Sequence, residues 1–225
     1  MLFFNKKRIL ACALLLCLLV CACVPLSAFS RAAQALPFTV VIDAGHGGVD
    51  GGVLGVRTKV KESDLNLQIA QLLRERFAQA GVRAVLTRTN AGGLYGLATA
   101  GYKRRDMERR REIIEESAPN VVLSVHQNYF PSDRTRRGGQ VFYRAGSAEG
   151  QALAASVQER LNALGGNSYS PLAGDYFMVN CTGYPSVIVE CAFLSNAEDE
   201  ALLLTEEYRA KLADAVFAGV LAYLA

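Results

Sequence analysis

The chain has 225 residues, is 51% hydrophobic and 20% charged, which excludes a disordered polymer and allows one sizeable core. Lys and Arg total 24 against 21 acids. The excess of three lies in Lys6, Lys7 and Arg8, so the body is neutral and lacks the broad positive field of a nucleic-acid binder.

After that basic patch, Ile9 to Ser30 run 22 residues without a charge. This predicts a signal peptide or a signal anchor over 1–30, with Pro25 ending its helix and the body delivered outside the cytoplasm. Cleaved and retained leaders both stay open. Cys12, Cys17, Cys21 and Cys23 fall in this run as small apolar residues, and a lipobox reading of them is weak. Only Cys181 and Cys191 remain in the body, too few for a disulfide framework.

Residues 31–37 read as a spacer. From Phe38 the chain alternates. A β-branched run over 38–42 predicts a buried strand, followed by a glycine-rich loop over 45–55. Leu65, Ile69, Leu72, Leu73 and Phe77 predict a helix that Gly81 stops. Strands are expected at 83–86, 121–125, 140–143 and 186–189. Helices are expected at 102–118, 148–164 and around Tyr208, Leu212, Ala215, Val216 and Val220. Residues 90–101 read as a mobile loop, either a lid or slack. This order predicts an α/β three-layer sandwich, with a largely parallel mixed sheet of about six strands flanked by helices.

The chain has two histidines, and each follows a strand: VVIDAGH ends at His46 and VVLSVH at His126. Ligands of open α/β sheets collect beyond the carboxyl ends of the strands. SVIVE delivers Glu190 from a third strand, and Glu62 opens the first helix. Two imidazoles and a carboxylate suit zinc, whose catalytic sites keep one position for water. His46, Glu62 and His126 are therefore assigned as metal ligands and Glu190 as general base. The plainer alternative is a pair of hydrogen-bonded loop histidines. A dinucleotide site fails because the third glycine and a ribose-binding acid are missing. A serine hydrolase fails because no Gly-x-Ser-x-Gly occurs.

Four ordered blocks, DAGHGGVDGG (43–52), KESDLNLQIAQLL (61–73), SVHQN (124–128) and PSVIVECAFLSNAEDEALL (185–203), resemble the zinc-dependent N-acetylmuramoyl-L-alanine amidases of the amidase-3 type. The resemblance covers 38–225, implying a zinc amidase catalytic domain with no separate wall-binding domain. YKRRDMERRREII (102–114) and the leader resemble the sporulation-type cortex amidases. What this implies is one Zn2+ on His46, Glu62 and His126, with Glu190 catalytic. Peptidoglycan glycan strands and stem peptides would be the substrate. A membrane anchor through 9–30 and a partner deacetylase that forms the muramic δ-lactam are also implied. Ala44 and Cys191 depart from the family, which has Pro at the first position and Gly or Ala at the second.

Asn128 is a candidate substrate contact or an ordinary loop cap, and Asp43 a support for a ligand. Cys191 reads as a small core residue or as a thiol within reach of the metal. The runs Arg104-Arg105, Arg109–Arg111 and Arg134/Arg136/Arg137 read as solvated faces, or as attractors of anionic wall polymer. Two rival functions remain: a non-catalytic wall-binding relative and a zinc peptidase of stem peptides.

Overall fold

The computed structural model describes residues 38–225. The expected leader, spacer and anchor lie outside the described residues. Among the described residues no helix is long and apolar enough to cross a membrane.

Six strands form one sheet: β1 (Thr39–Ala44), β2 (Arg83–Leu86), β3 (Val121–Asn128), β4 (Gln140–Arg144), β5 (Leu172–Gly174) and β6 (Ser186–Phe193), in the order β2-β1-β3-β6-β4-β5. All pairings are parallel except β4 with β6. The helices are α1 (Glu62–Gln79), α2 (Tyr102–Ser117), α3 (Ala148–Asn162), α4 (Phe177–Asn180), α5 (Ala197–Leu203) and α6 (Glu206–Leu224). This is the expected three-layer arrangement. The short elements β5, α4 and α5 were not predicted, because none is long enough to show a hydrophobic period.

Strand alternation sorts the core into two sides. Val40, Ile42, Leu123, Val125, Val187 and Val189 pack with α1, α3 and α6, through residues such as Leu65, Leu153 and Leu212. Val41, Val122 and Ile188 face the other way, onto Ile114 of α2 and Met178 and Val179 of α4. Continuing the period two residues further along the second side reaches Asp43, Ser124 and Glu190. That side therefore turns from apolar to polar at the carboxyl end of the sheet. Burial of the two apolar layers fixes register, since a slip of one residue would exchange the sides.

Helix α1 has no side-chain cap and ends before Gly81, whose φ of 75° suits a residue without Cβ. Helix α2 ends at Ala118 in the left-handed region, just before Pro119. The loop over 90–101 is not slack. Gly48 N–H donates to Ala91 O, Val49 N–H to the Tyr95 hydroxyl and Leu94 N–H to Asp106 Oδ1. Arg105 donates to the carbonyls of Tyr95, Leu97 and Ala100. Glycine and alanine composition suggested slack, and long-range hydrogen bonds remove it.

Candidate metal centre

The site forms where three adjacent strands, β1, β3 and β6, end beside the N-terminus of α1. His46 follows β1 by two residues, His126 lies within β3, and Glu190 stands directly opposite His126 in the β3–β6 register. His46, Glu62 and His126 each present one donor atom, and these atoms lie within 4.8 Å of one another. The three candidate ligands thus meet at one corner, and the β3–β6 register sets Glu190 beside His126. His126 is not beyond its strand as expected, because β3 runs on to Asn128 and a register irregularity follows His126.

Glu62 is the hub. Its Oε1 lies 2.9 Å from His126 Nδ1 and 3.3 Å from His46 Nε2. Oε1 also accepts from Gln127 N–H at 3.2 Å and Asn66 Nδ2 at 3.3 Å, while Oε2 accepts from Val53 N–H at 2.9 Å. Burial pushes the Glu62 carboxyl up, and the hydrogen bonds from His126 and His46 together with the charges of both rings more than offset it, holding it well below the usual carboxylate range. Burial pushes His126 down, and the hydrogen bond and charge of Glu62, together with the charges of Glu190 and Asp43, outweigh this and raise it.

Glycine lets the backbone press against these groups. A Cβ on Gly45 would sit 2.2 Å from the His126 ring. One on Gly52, at φ 67°, would sit 2.4 Å from Glu62 Oε2. The donor set of two imidazoles and one carboxylate, so cradled, fits a divalent zinc-type ion.

His46 itself has φ 61°, a left-handed conformation that costs a residue with a Cβ roughly 1–2 kcal/mol. Two buried guanidiniums hold the turn. Arg88 donates to the carbonyls of Ala44, Gly45 and Ser63, at 2.8, 3.0 and 2.7 Å. Arg110 donates to Ala44 O at 2.9 Å and His46 O at 2.6 Å. Arg110 also pairs with Asp43 at 2.5 Å and Asp106 at 2.7 Å. Burial pushes Asp43 up, but Arg110 and the hydroxyls of Ser124 and Thr87 bring it down to about 2.

Arg110 therefore corrects the reading of 109–111 as a solvated face. It is 1% exposed, while its neighbours Arg109 and Arg111 pair on the surface with glutamates. Met107, Arg110 and Ile114 fall at helical spacing on the side of α2 that faces the sheet, which is the sequence signal for its burial. Asp43 supports the turn through Arg110. Arg136 lies over the Phe130 ring at 4.3 Å, and Arg137 pairs with Glu198 and Asp199.

Asp50, four residues after His46, places Oδ1 2.9 Å from His46 Nδ1 and accepts from Gly52 N–H at 3.2 Å. The other ring nitrogen, Nε2, is thereby the one turned to Glu62. Sequence spacing missed Asp50 and Asn66. The latter is one helical turn beyond Glu62 and donates to Gly45 O at 3.2 Å as well as to Glu62. Glu190 is half-buried, its Oε2 lies buried without a hydrogen-bond partner, and desolvation pushes its carboxyl up to about 7.

Cys191 points to the opposite side of the sheet from Glu190. It is fully buried in the α1/α3/α6 core, its Sγ is 3.7 Å from Val189 O, and burial pushes its thiol far up. It is the core residue of the two alternatives. Cys181 and Cys191 are both free. Asn128 ends β3, and its carbonyl accepts from Leu194 N–H at 2.8 Å.

The family model described as N-acetylmuramoyl-L-alanine amidase matches residues 40–222. The chain belongs to that family. The amidase is 33% identical over 190 residues to the germination-specific N-acetylmuramoyl-L-alanine amidase of Bacillus subtilis, spanning 82% of this chain and 78% of that one. It is 30% identical over 188 residues to the N-acetylmuramoyl-L-alanine amidase LytC of the same organism, where the match spans only 35% of the relative. Among solved structures, the CwlD amidase of Clostridioides difficile, in complex with the GerS lipoprotein, matches with a TM-score of 0.79 and 33% identity. That match covers 83% of this chain and 98% of the other. The amidase is thus an enzyme of the cell wall, hydrolysing the N-acetylmuramoyl-L-alanine amide of peptidoglycan. The non-catalytic rival falls away.

Proposed function

We propose that the amidase is a zinc enzyme in which His46, Glu62 and His126 hold one ion and Glu190 is both general base and general acid. The observation that carries this is the convergence of the three donor atoms within 4.8 Å, with Glu190 opposite His126 across β3 and β6. Zinc held by such a set lowers the pKa of a water to about 7 and polarises a carbonyl.

The remaining work belongs to the chain. A carboxyl whose affinity for a proton is raised by desolvation is suited to take and return one near neutral pH. Glu190 takes one proton from the attacking water, whose oxygen bonds to the lactyl carbonyl carbon. The carbon–nitrogen bond then breaks, and Glu190 returns the proton to the departing alanine nitrogen. Asp50 keeps His46 in one orientation. Asn128, at the end of β3, is the proposed contact to substrate.

The likeness to a germination-specific amidase supports a role in spore cortex maturation, ahead of a deacetylase that forms the muramic δ-lactam. The basic and apolar leader supports export or anchoring of the 38–225 domain outside the cytoplasm. A lipoprotein partner is proposed by likeness to the CwlD complex.

Mass spectrometry of peptidoglycan digested by the purified protein tests the reading. Expected products are stem peptides with a free alanine amine and glycan with free lactyl carboxyls, lost on chelation and restored by zinc. Cleavage inside the stem peptide would instead mark a zinc peptidase. Activity indifferent to chelator would remove the metal.

A further inference from the structure

Next to the histidines lies a cleft of about 190 Å³. Tyr95 comes from the 90–101 loop, Tyr102, Lys103 and Met107 from α2, and Tyr176 and Phe177 from α4 and its cap. His46 and His126 border the same space. Most of this wall is aromatic or aliphatic, which positions a ligand by shape more than by charge.

Among the described residues lining the cleft, the fixed cations are Arg110 and Lys103. Arg110 is buried and spends four of its five N–H donors on Asp43, Asp106 and the carbonyls of Ala44 and His46. Lys103 is not. Its side chain is 67% exposed, and its ammonium meets Asp50 Oδ2 only at 3.5 Å. Asp50 is already engaged by His46 and by Gly52 N–H. An ammonium has three donors, so Lys103 keeps donors for a ligand. Of the acids on the wall, Asp43 and Asp106 are bonded to Arg110, and Asp50 to His46 and Lys103.

We propose that this cleft receives the peptide side of the scissile amide and that Lys103 determines specificity there, binding a carboxylate on the residue that follows the alanine. The proposal rests on the amidase reading above. Position supports it: Lys103 Nζ and His46 Nδ1 both meet the Asp50 carboxylate, at 3.5 and 2.9 Å, so one side chain joins the ammonium to the histidine of the candidate metal site. Charge supports it as well. N-acetylated sugars offer an ammonium no anion, whereas an acidic peptide does.

The test uses the full chain and two synthetic muramoyl peptides, identical except that the carboxylate after the alanine is free or amidated. The wild-type protein is expected to favour the free acid by about 5- to 10-fold in kcat/KM, a preference that shrinks as salt rises. Lys103→Gln is expected to bring the ratio of the two substrates near one, Lys103→Arg to keep it, and Lys103→Glu to reverse it. A wild-type ratio near one, or an unchanged ratio in Lys103→Gln, overturns the proposal. If the wild-type protein releases peptide from neither substrate, the amidase reading fails first and this one with it.

Discussion

Arg110 of α2 donates a 2.6 Å hydrogen bond to the carbonyl oxygen of His46, a residue whose φ of 61° no ordinary turn would hold at low cost. The same guanidinium is paired with Asp43 and Asp106, so a buried ion cluster underwrites the position of one proposed metal ligand. Arg110→Met removes one partner and leaves two carboxylates beneath the site. Loss of stability of about 3–5 kcal/mol is expected, together with weaker zinc binding. Denaturant titration and zinc content after dialysis measure the two effects.

Glu190 and His46 separate chemistry from metal binding. Glu190→Gln removes the proton carrier while keeping its shape, so zinc content stays near one per chain and turnover falls by about 10²–10⁴-fold. His46→Ala loses metal and turnover together. Atomic absorption alongside peptide-release kinetics distinguishes them. Full turnover in Glu190→Gln would end its assignment as base.

Asp50 acts through His46. Asp50→Ala frees the Nδ1 side of the ring, and metal affinity is expected to fall about 10- to 100-fold. Titration with a competing chelator reads this directly. Added zinc should restore most of the lost turnover, which distinguishes weakened binding from a lost catalytic group.

Asp43 contributes to the acid limb of stability. Its carboxyl ordinarily titrates at 3.8 and is lowered in the fold to about 2, so its contribution is complete above 3.8 and disappears as pH falls through about 2. Linkage makes that contribution about 2 kcal/mol. In Asp43→Asn the stability is lower at neutral pH and falls less between those two values. Urea unfolding at a series of pH values is the measurement.

The sequence by itself determined the layered α/β plan, because strand and helix periods are written in long apolar runs. It also singled out His46, Glu62, His126 and Glu190 as candidates, from two histidines that each follow a β-branched run and two carboxylates at element ends, and the fold brings the donor atoms of the first three within 4.8 Å. Residues whose role depends on distant partners were decided only by tertiary structure. Arg110 looked solvated within a run of arginines, and its burial follows from packing of α2 on β1 and pairing with Asp43, 67 positions away. Cys191 was ambiguous until β6 took its place in the sheet, where the two-residue period turns it away from Glu190 into the opposite core. The 90–101 loop has little side-chain pattern of its own, and it is shaped by hydrogen bonds that Arg105 donates to its carbonyls, that Leu94 N–H donates to Asp106, and that Val49 N–H donates to the Tyr95 hydroxyl. Local periodicity records which residues want burial, whereas the pairing of buried charges is a long-range electrostatic solution that exists only once the chain has closed.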